Sequence, residues 1–411
     1  MQRGNIMEYD HDVIVIGGGP AGSTFARIAA GAGLDVLVID KRREIGVPVR
    51  CGEGLGEGEI IKEGLDLPRQ CYSTPVLGAK VIAPNGKAVV WKNKDTHGWV
   101  LERKCFDKWL AELAVAKGAT VHTYTRATEV LKDVKGRPNG LKISHGGREC
   151  YDVRAPLIVS AEGMESMMAR QMGFKTIHQL YDVDTCYQYE MKPYDHENLI
   201  ELYFGNRIAP RGYVWIFPKA DKKANVGIGI GGNVTNGEKN GIKGADPKLL
   251  LDEYIRNNDG LKDASTLLDF GGVISVGAPI NEFVKDNCMV IGTAAKQVDP
   301  IHGGGIAIAM ETGILAGNAA VEAFKKKDFS RDFLYKNYEA PWRAGLGKAM
   351  EKRLLLRKVM ENLSDDDLNH IFGTFTDNDI KDSMDGNFAG PVARILAGRP
   401  QLIGVLKALI S

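Results

Sequence analysis

A chain of 411 residues, 44% hydrophobic and 26% charged, can build two domains or one elaborate fold, and its net charge of +1 lacks the basic excess of a nucleic-acid binder. Six cysteines (Cys51, Cys71, Cys105, Cys150, Cys186, Cys288) are scattered without a C-x-x-C pair. That spacing argues against zinc, iron–sulfur and disulfide frameworks, so no metal is expected and the cytoplasm is the expected compartment.

The N-terminal "MQRGNIMEYDHD" has no apolar h-region, and Met7 offers an alternative start that makes the first residues a tail. No window reaches about 18 uninterrupted apolar residues, so no membrane-spanning helix is expected. The first element is "VIVI", residues 13–16, a strand read as buried on both faces. It runs into Gly17, Gly19 and Gly22, a G-x-G-x-x-G at the start of a helix. The first glycine permits a tight turn, the second lets a pyrophosphate approach the backbone, and the third lets helix and sheet lie close. A second strand, "DVLVID", ends at Asp40, about 20 residues on, where a ribose-binding acid is expected. The unit reads as a dinucleotide site.

A glycine-rich loop follows. "VLGAKVIAPNGKAVVW" holds the turn signal "PNG" between two strand-like runs, a hairpin within residues 76–100. Residues 102–117 read as a helix with Phe106, Trp109, Leu110 and Leu113 on one face. "ATVHTYTRATEV" resumes as one strand, and "APLIVSAEG" is another buried strand ending at a turn. Residues 180–290 change to short alternating strands, read as an antiparallel sheet inserted between nucleotide-binding elements. Within it "GIGIGG" also fits G-x-G-x-x-G, but turn-forming residues follow it. It reads as a strand whose Gly227 and Gly229 leave room on one face for a bulky ligand, with a second dinucleotide site as the alternative. "HGGGIAIAMETG" then opens an apolar helix, and from residue 331 the chain reads as helices. The end, "GPVARILAGRPQLIGVLKALIS", is either a helix pair closing the fold or a surface for lipid headgroups.

The motifs "GGGPAG", "IDKR", "LERKCFDKWL", "VSAEG" and "GTAAKQVDPIHGGGI" occur in an order that resembles the para-hydroxybenzoate hydroxylase class of FAD proteins. "DKRREIGVPVRCGEGL", and "YVWIFP" followed by "GIG", resemble the geranylgeranyl reductase family, closest to the archaeal digeranylgeranylglycerophospholipid reductases. The resemblance implies an α/β fold. A Rossmann-like FAD-binding domain is built from residues 7–75, 101–175 and 287–330, with a substrate domain inserted as the hairpin 76–100 and an antiparallel sheet over 176–286. A helical region, 331–411, completes it.

The resemblance implies FAD contacts from Gly17, Gly19, Ala21, Gly22, Asp40, Lys41, Arg50, Cys51, Gly52, Gly54 and Arg103. It implies others from Ala127 ending its strand, from Gly163, and from Gly304, Gly305 and Ile306 at the flavin ring. Two positions depart from the family pattern: Glu162 and Thr293 stand where Asp is usual. The implied reaction moves hydride from flavin to an isoprenoid alkene and adds a proton, for which Cys51 and His302 are the candidate donors. A chain of about twenty carbons could contribute on the order of 10 kcal/mol of binding, which calls for an apolar tunnel. Tyr213, Trp215, Phe217 and Pro218 are its candidate wall, although aromatic alternation in a strand also reads as plain core.

The expected partners are an isoprenoid lipid and an electron donor. No NAD(P)H site is evident, which favours reduced ferredoxin or another protein or deazaflavin donor. Peripheral contact with the inner membrane face fits such a substrate. The alternatives are an aromatic monooxygenase of the same fold and a non-catalytic isoprenoid carrier that keeps flavin for structure.

Overall fold

The computed structural model describes residues 9–384 apart from 63, 236–237 and 240–241, together with 390, 393 and 394. The apolar segment 390–411 therefore lies almost wholly outside the described residues. The chain opens with β1 (Val13–Ile16), α1 (Pro20–Gly31) and β2 (Val36–Ile39). Next come β3 (Gly54–Gly56), α2 (Gly58–Lys62), β4 (Tyr72–Val76), β5 (Gly78–Ile82), β6 (Ala88–Lys92) and β7 (Gly98–Leu101). Helix α3 (Arg103–Ala116) leads to β8 (Thr120–His122), β9 (Thr125–Lys132), β10 (Pro138–His145), β11 (Glu149–Arg154), β12 (Leu157–Ser160) and α4 (Met167–Gln171).

β1 has no polar residue and is buried throughout, because it lies at the centre of a sheet covered on both faces. It pairs in parallel with β2 and β12, and β2 pairs in parallel with β8. The stretch "ATVHTYTRATEV" is not one strand. Tyr124 adopts φ +53° and breaks it, sending β8 into the parallel sheet and β9 to the edge of a small sheet of order β11-β10-β9. Nothing in the local residue types announces this break, since Tyr is not a usual left-handed residue.

The long strands of the second half are β13 (Val183–Lys192), β14 (Leu199–Phe204), β15 (Tyr213–Lys219) and β16 (Lys223–Gly231). After α5 (Gly232–Thr235), short β17 (Glu238–Lys239) and β18 (Ile242–Lys243), and α6 (Pro247–Arg256), comes β19 (Ser265–Ser275). They form a seven-stranded sheet of order β19-β13-β16-β15-β14-β5-β6, so the hairpin β5–β6 belongs to it. The one parallel pair is β5 with β14. Helix α6 is an addition to the strands expected here. Asp246 caps it, accepting from the backbone N–H of Lys248 and Leu249, and Pro247 opens its first turn. It packs on the face that carries Val214, Ile216, Val226, Ile228 and Ile230, and so leaves the other face of the sheet for the site.

The chain returns to the parallel sheet through β20 (Val284–Lys285) and β21 (Cys288–Val290), then enters α7 (Ile306–Lys326). α7 is long and apolar enough to cross a membrane, yet it packs against α1 as a core helix. A Cβ at Gly313 would lie 2.7 Å from the carbonyl oxygen of Ala21, and one at Gly317 would lie 2.9 Å from Ile28 Cβ. Both helices advance in the same direction along this contact, so their N-termini meet at one edge of the sheet.

The last part is α8 (Arg331–Leu334), α9 (Ala340–Trp342), α10 (Lys348–Met360), α11 (Asp365–Thr374) and α12 (Asp377–Met384). Two π turns, at Tyr335–Glu339 and Arg343–Gly347, join the first three into one continuous helix around Pro341, whose missing N–H the widened turns accommodate. Val359, Leu363, Leu368, Ile371 and Phe372 bury Ala79, Val81, Val89 and Trp91 of the hairpin.

The α1–α7 contact gives a paired expectation. Gly313→Val should destabilise by about 1–3 kcal/mol, because its new side chain meets backbone that cannot yield. Gly345→Ala, where a Cβ would meet nothing within 4 Å, should be neutral or stabilising. Denaturant unfolding of the two variants beside the parent checks both.

Candidate active site

The edge where α1 and α7 begin is built to receive anionic groups. Neither helix has a side-chain cap, so the N–H groups of both first turns stay open. Gly17 takes φ +108°, and a Cβ there would sit 2.4 Å from Ala161 O. A Cβ at Gly22 would sit 1.9 Å from Gly17 O, while one at Gly19 would meet nothing within 4 Å. The outer glycines thus serve the chain's own packing, and the middle one faces open space that a phosphate can fill. Ala21 is covered by Gly292 and Gly313, so only its backbone can serve a ligand. The buried Asp40 accepts from Gly18 N at 3.0 Å and Arg42 N at 2.8 Å, and so pins the turn as well as ending β2.

Several expected cofactor residues are placed differently. The carboxylate of Glu162 accepts from the N–H groups of Met168 and Ala169, both at 3.0 Å, and from Ser160 Oγ at 2.8 Å. It caps α4 and is not free for a cofactor; the extra methylene over Asp carries it there. Ala127 does not end its strand but lies inside β9, on the open edge of its sheet. Lys41 pairs with Glu165, whose carboxyl this bond holds below the usual range, with Arg126 and the exposed Arg50 adding to the effect. Gly163, with φ +71°, has open space around it. Thr293 stands against Gly305, just before Ile306 begins α7.

Beside the first turns of α7 lies the loop Cys51–Gly54. A Cβ at Gly52 would come within 2.9 Å of the Phe217 ring, and one at Gly54 within 3.2 Å, so the bare loop passes directly over that ring. Gln188 Nε2 donates to Cys51 O at 3.2 Å, and Asn225 Nδ2 donates to Gly52 O at 3.2 Å. The Cys51 thiol is half-buried beside the apolar cluster of Leu55, Leu101, Phe106, Ile306 and Met310. Its sulfur accepts from Glu53 N at 3.2 Å, and the Arg103 guanidinium stands next to it. Arg103 is itself held by two 2.7 Å bonds to Asp107. Burial works against its charge, but Asp107 and Cys51 outweigh this and raise its pKa further.

From this loop runs the alternating stripe of β15, from Phe217 to Tyr213. Tyr213, Trp215 and Phe217 share one face, with ring centroids 6.0 Å and 6.3 Å apart. The row continues through Phe204 to Phe372 of α11. Pro218 belongs to the other face, because the pleat alternates and its cross-strand partner Ala224 lies in the cluster under α6. The glycines of β16 do face the stripe. However, a Cβ at Gly227 would lie 2.2 Å from the Trp215 indole, so that room is filled by the protein's own ring. Gly229 borders Cys186 Sγ and the same indole. The Trp215 N–H donates to Gln188 Oε1 at 3.0 Å, which links the stripe to the Cys51 loop.

Tyr213 closes the row by donating to His302 O at 2.7 Å. Both ring nitrogens of His302 are engaged in its own loop: Nδ1 accepts from Gly304 N at 3.0 Å, and Nε2 lies 3.2 Å from Asp299 Oδ2. The imidazole fills the space beside Gly304, where a Cβ would be 2.5 Å from the ring. His302 therefore shapes the glycine turn and has no free N–H to give a substrate. Asp299, fully buried, lies inside the "GTAAKQVDPIHGGGI" motif but was given no role from the sequence. Burial works against its charge, yet His302 and Arg353 hold its carboxyl well below the usual range. Beyond this turn a small cleft of about 50 Å³ opens between β14, β15 and α10. Its walls carry Phe204, Tyr213, Ile301, Met360 and Leu368, and its floor carries Arg357, which donates to Asp184 at 2.6 Å and Glu361 at 2.7 Å.

Comparison with known proteins agrees with this layout. Residues 10–207 match the FAD binding domain family, and residues 182–274 match the geranylgeranyl reductase catalytic domain. The chain is 39% identical over 369 residues to digeranylgeranylglycerophospholipid reductase 2 of Methanococcoides burtonii, covering 89% of this chain and 88% of that protein. It is 40% identical over 376 residues to the digeranylgeranylglycerophospholipid reductase of Methanosarcina mazei, covering 90% of each. Among solved structures, a geranylgeranyl bacteriochlorophyll reductase-like protein from Thermoplasma acidophilum superposes with a TM-score of 0.88 at 34% identity, over 97% of this chain and 99% of that one. The cofactor that the open helix N-termini fit is FAD.

The glycine turn separates binding from folding. Gly19→Val should fold normally and unfold at the parent's denaturant midpoint when flavin-free, yet purify with at least roughly tenfold weaker flavin binding, a loss of about 1.4 kcal/mol. Gly22→Ala should lose stability itself. Visible absorbance and unfolding of the stripped proteins distinguish the two.

Proposed function

The chain belongs to the geranylgeranyl reductase family, and from that premise we propose that it is an FAD-dependent reductase saturating the geranylgeranyl double bonds of archaeal ether phospholipids in membrane lipid synthesis. The observation that carries this reading is the aromatic row from Phe217 to Tyr213. It runs from the Cys51 loop to the turn that opens α7 and continues into the cleft under α10 and α11. An apolar chain laid along that row exchanges water for aromatic surface at the half-buried Tyr213 and Phe217 rings.

When bound, reduced FAD supplies hydride to one carbon of an alkene. An isolated alkene accepts it only if a proton reaches the other carbon, so the protein must hold the chain, keep water out and present an acid. Cys51 is the proposed acid. Its loop passes over the Phe217 end of the row, and its sulfur is held between the Arg103 guanidinium and the Glu53 N–H. His302 is instead engaged at both nitrogens.

Reduced ferredoxin or another protein or deazaflavin carrier is the proposed electron donor, in preference to NAD(P)H. The second glycine fingerprint supports this, because Gly227 and Gly229 lie within strand β16 and are packed by Trp215. The substrate resides in a bilayer, so peripheral contact with the inner membrane face is part of the proposal.

Chemically reduced protein, incubated anaerobically with digeranylgeranylglyceryl phospholipid, should yield lipid whose mass rises by one hydrogen pair per saturated bond. An unchanged mass in flavin-loaded protein would sink the reading. Cys51→Ala should retain flavin and KM while kcat falls roughly 100-fold or more, the size of a lost general acid. Single-turnover reoxidation of the reduced variant on lipid measures this directly.

A further inference from the structure

The loop that carries Cys51 is held by a buried ion cluster that the reaction, as described, does not use. Glu53 adopts φ +75°, a left-handed conformation that non-glycine residues seldom take. Its side chain is 5% exposed. Oε1 accepts from Arg103 N at 2.9 Å. Oε2 accepts from Lys219 Nζ at 2.9 Å and from Asn225 Nδ2 at 2.8 Å. Lys219, 3% exposed, also meets Glu102 at 3.1 Å and Glu190 at 3.2 Å. Every one of these bonds crosses between elements: the Cys51 loop, the start of α3, and strands β13, β15 and β16.

Burial opposes the Lys219 charge, but its three carboxylates outweigh that and keep it protonated. Desolvating an ammonium and a carboxylate rarely gains net stability, so a buried pair of this kind is better understood as a means of fixing geometry. The geometry it fixes is specific. The Glu53 N–H donates to Cys51 Sγ at 3.2 Å, and the Glu53 carbonyl accepts from Leu101 N at 2.8 Å. The residue that bears the buried carboxylate is thus also the one that orients the thiol.

We propose that Glu53 and Lys219 are positioning residues of the reductase site, a buried clamp that holds the Cys51 thiol beside Arg103 and its loop over the Phe217 ring. The effect on turnover rests on the reading of Cys51 as proton donor; the effect on the thiol does not.

The test is the alkylation rate of each cysteine by iodoacetamide, resolved by peptide mass spectrometry, in the flavin-loaded full chain and its variants. Exposed Cys150 controls for the reagent, and Cys288, buried in the parallel sheet, reports general loosening. Glu53→Gln and Lys219→Met should raise the Cys51 rate roughly tenfold while Cys288 stays protected, as expected for local opening. kcat should fall with KM nearly unchanged, and Lys219→Arg should restore both readouts in large part. Glu53→Gln keeps the shape and the acceptor toward Arg103 N, and it carries the test alone if Lys219→Met does not fold. A Cys51 rate that stays at the parent's value, or rises only in step with Cys288, overturns the proposal. Full activity of a Cys51→Ser variant would remove the proton-donor reading and leave the alkylation result to decide the clamp.

Discussion

The close, parallel contact of α1 and α7 is the constraint from which the site follows. Two helices can approach this way only where side chains are absent, and Gly313 and Gly317 supply that face of α7 against Ala21 and Ile28 of α1. Because the helices run in the same direction, both uncapped N-termini open at one edge of the parallel sheet. Their dipoles add there, and the donors are main-chain N–H groups that need no side chain to aim them. Turning either helix around would send one set of donors to the far side of the domain.

The second sheet completes the site because its two faces have been given different work. Helix α6 seals one face over Val214, Ile216 and Ile228, so the aromatic side of β15 is left to meet the cofactor domain. On that side the largest ring, Trp215, sits in the gap made by Gly227 and reaches Gln188, which in turn holds the backbone of Cys51. Strand and loop are therefore registered by one indole. The C-terminal helices are tied to the same face by Arg357, whose guanidinium bridges Asp184 of β13, Glu361 and the carbonyl of Pro300. Three separate stretches of chain thus close around one aromatic row.

Much of this was legible in the residues. The β1–turn–α1 unit, the second strand ending at Asp40, the hairpin around "PNG", the helix after Arg103 and the glycine run before α7 all stand where pattern and turn chemistry put them. The aromatic alternation of "YVWIFP" also put Tyr213, Trp215 and Phe217 on one face of β15, with Pro218 as the exception that the pleat assigns to the opposite side. Less was legible where a residue's partner lies far along the chain. Glu162 looked like a cofactor ligand and caps α4 instead, and His302 looked like an acid and braces its own turn. Asp299 and Glu53 sit inside recognised motifs, and Gln188 and Lys219 outside them, yet none showed its role locally; they matter through partners, many of them more than a hundred residues away.

The sequence by itself determined what depends on short range: which backbone is bare, where helices begin, which strand faces alternate, and that a dinucleotide belongs at the first turn. Steric and capping rules act over a few residues, so these can be read without coordinates. Tertiary structure alone decided where the charges go. An ammonium such as Lys219 is stable in the interior only because Glu53, Glu102 and Glu190 arrive from three other segments. Electrostatic compensation is a property of assembled space, and no local pattern records it.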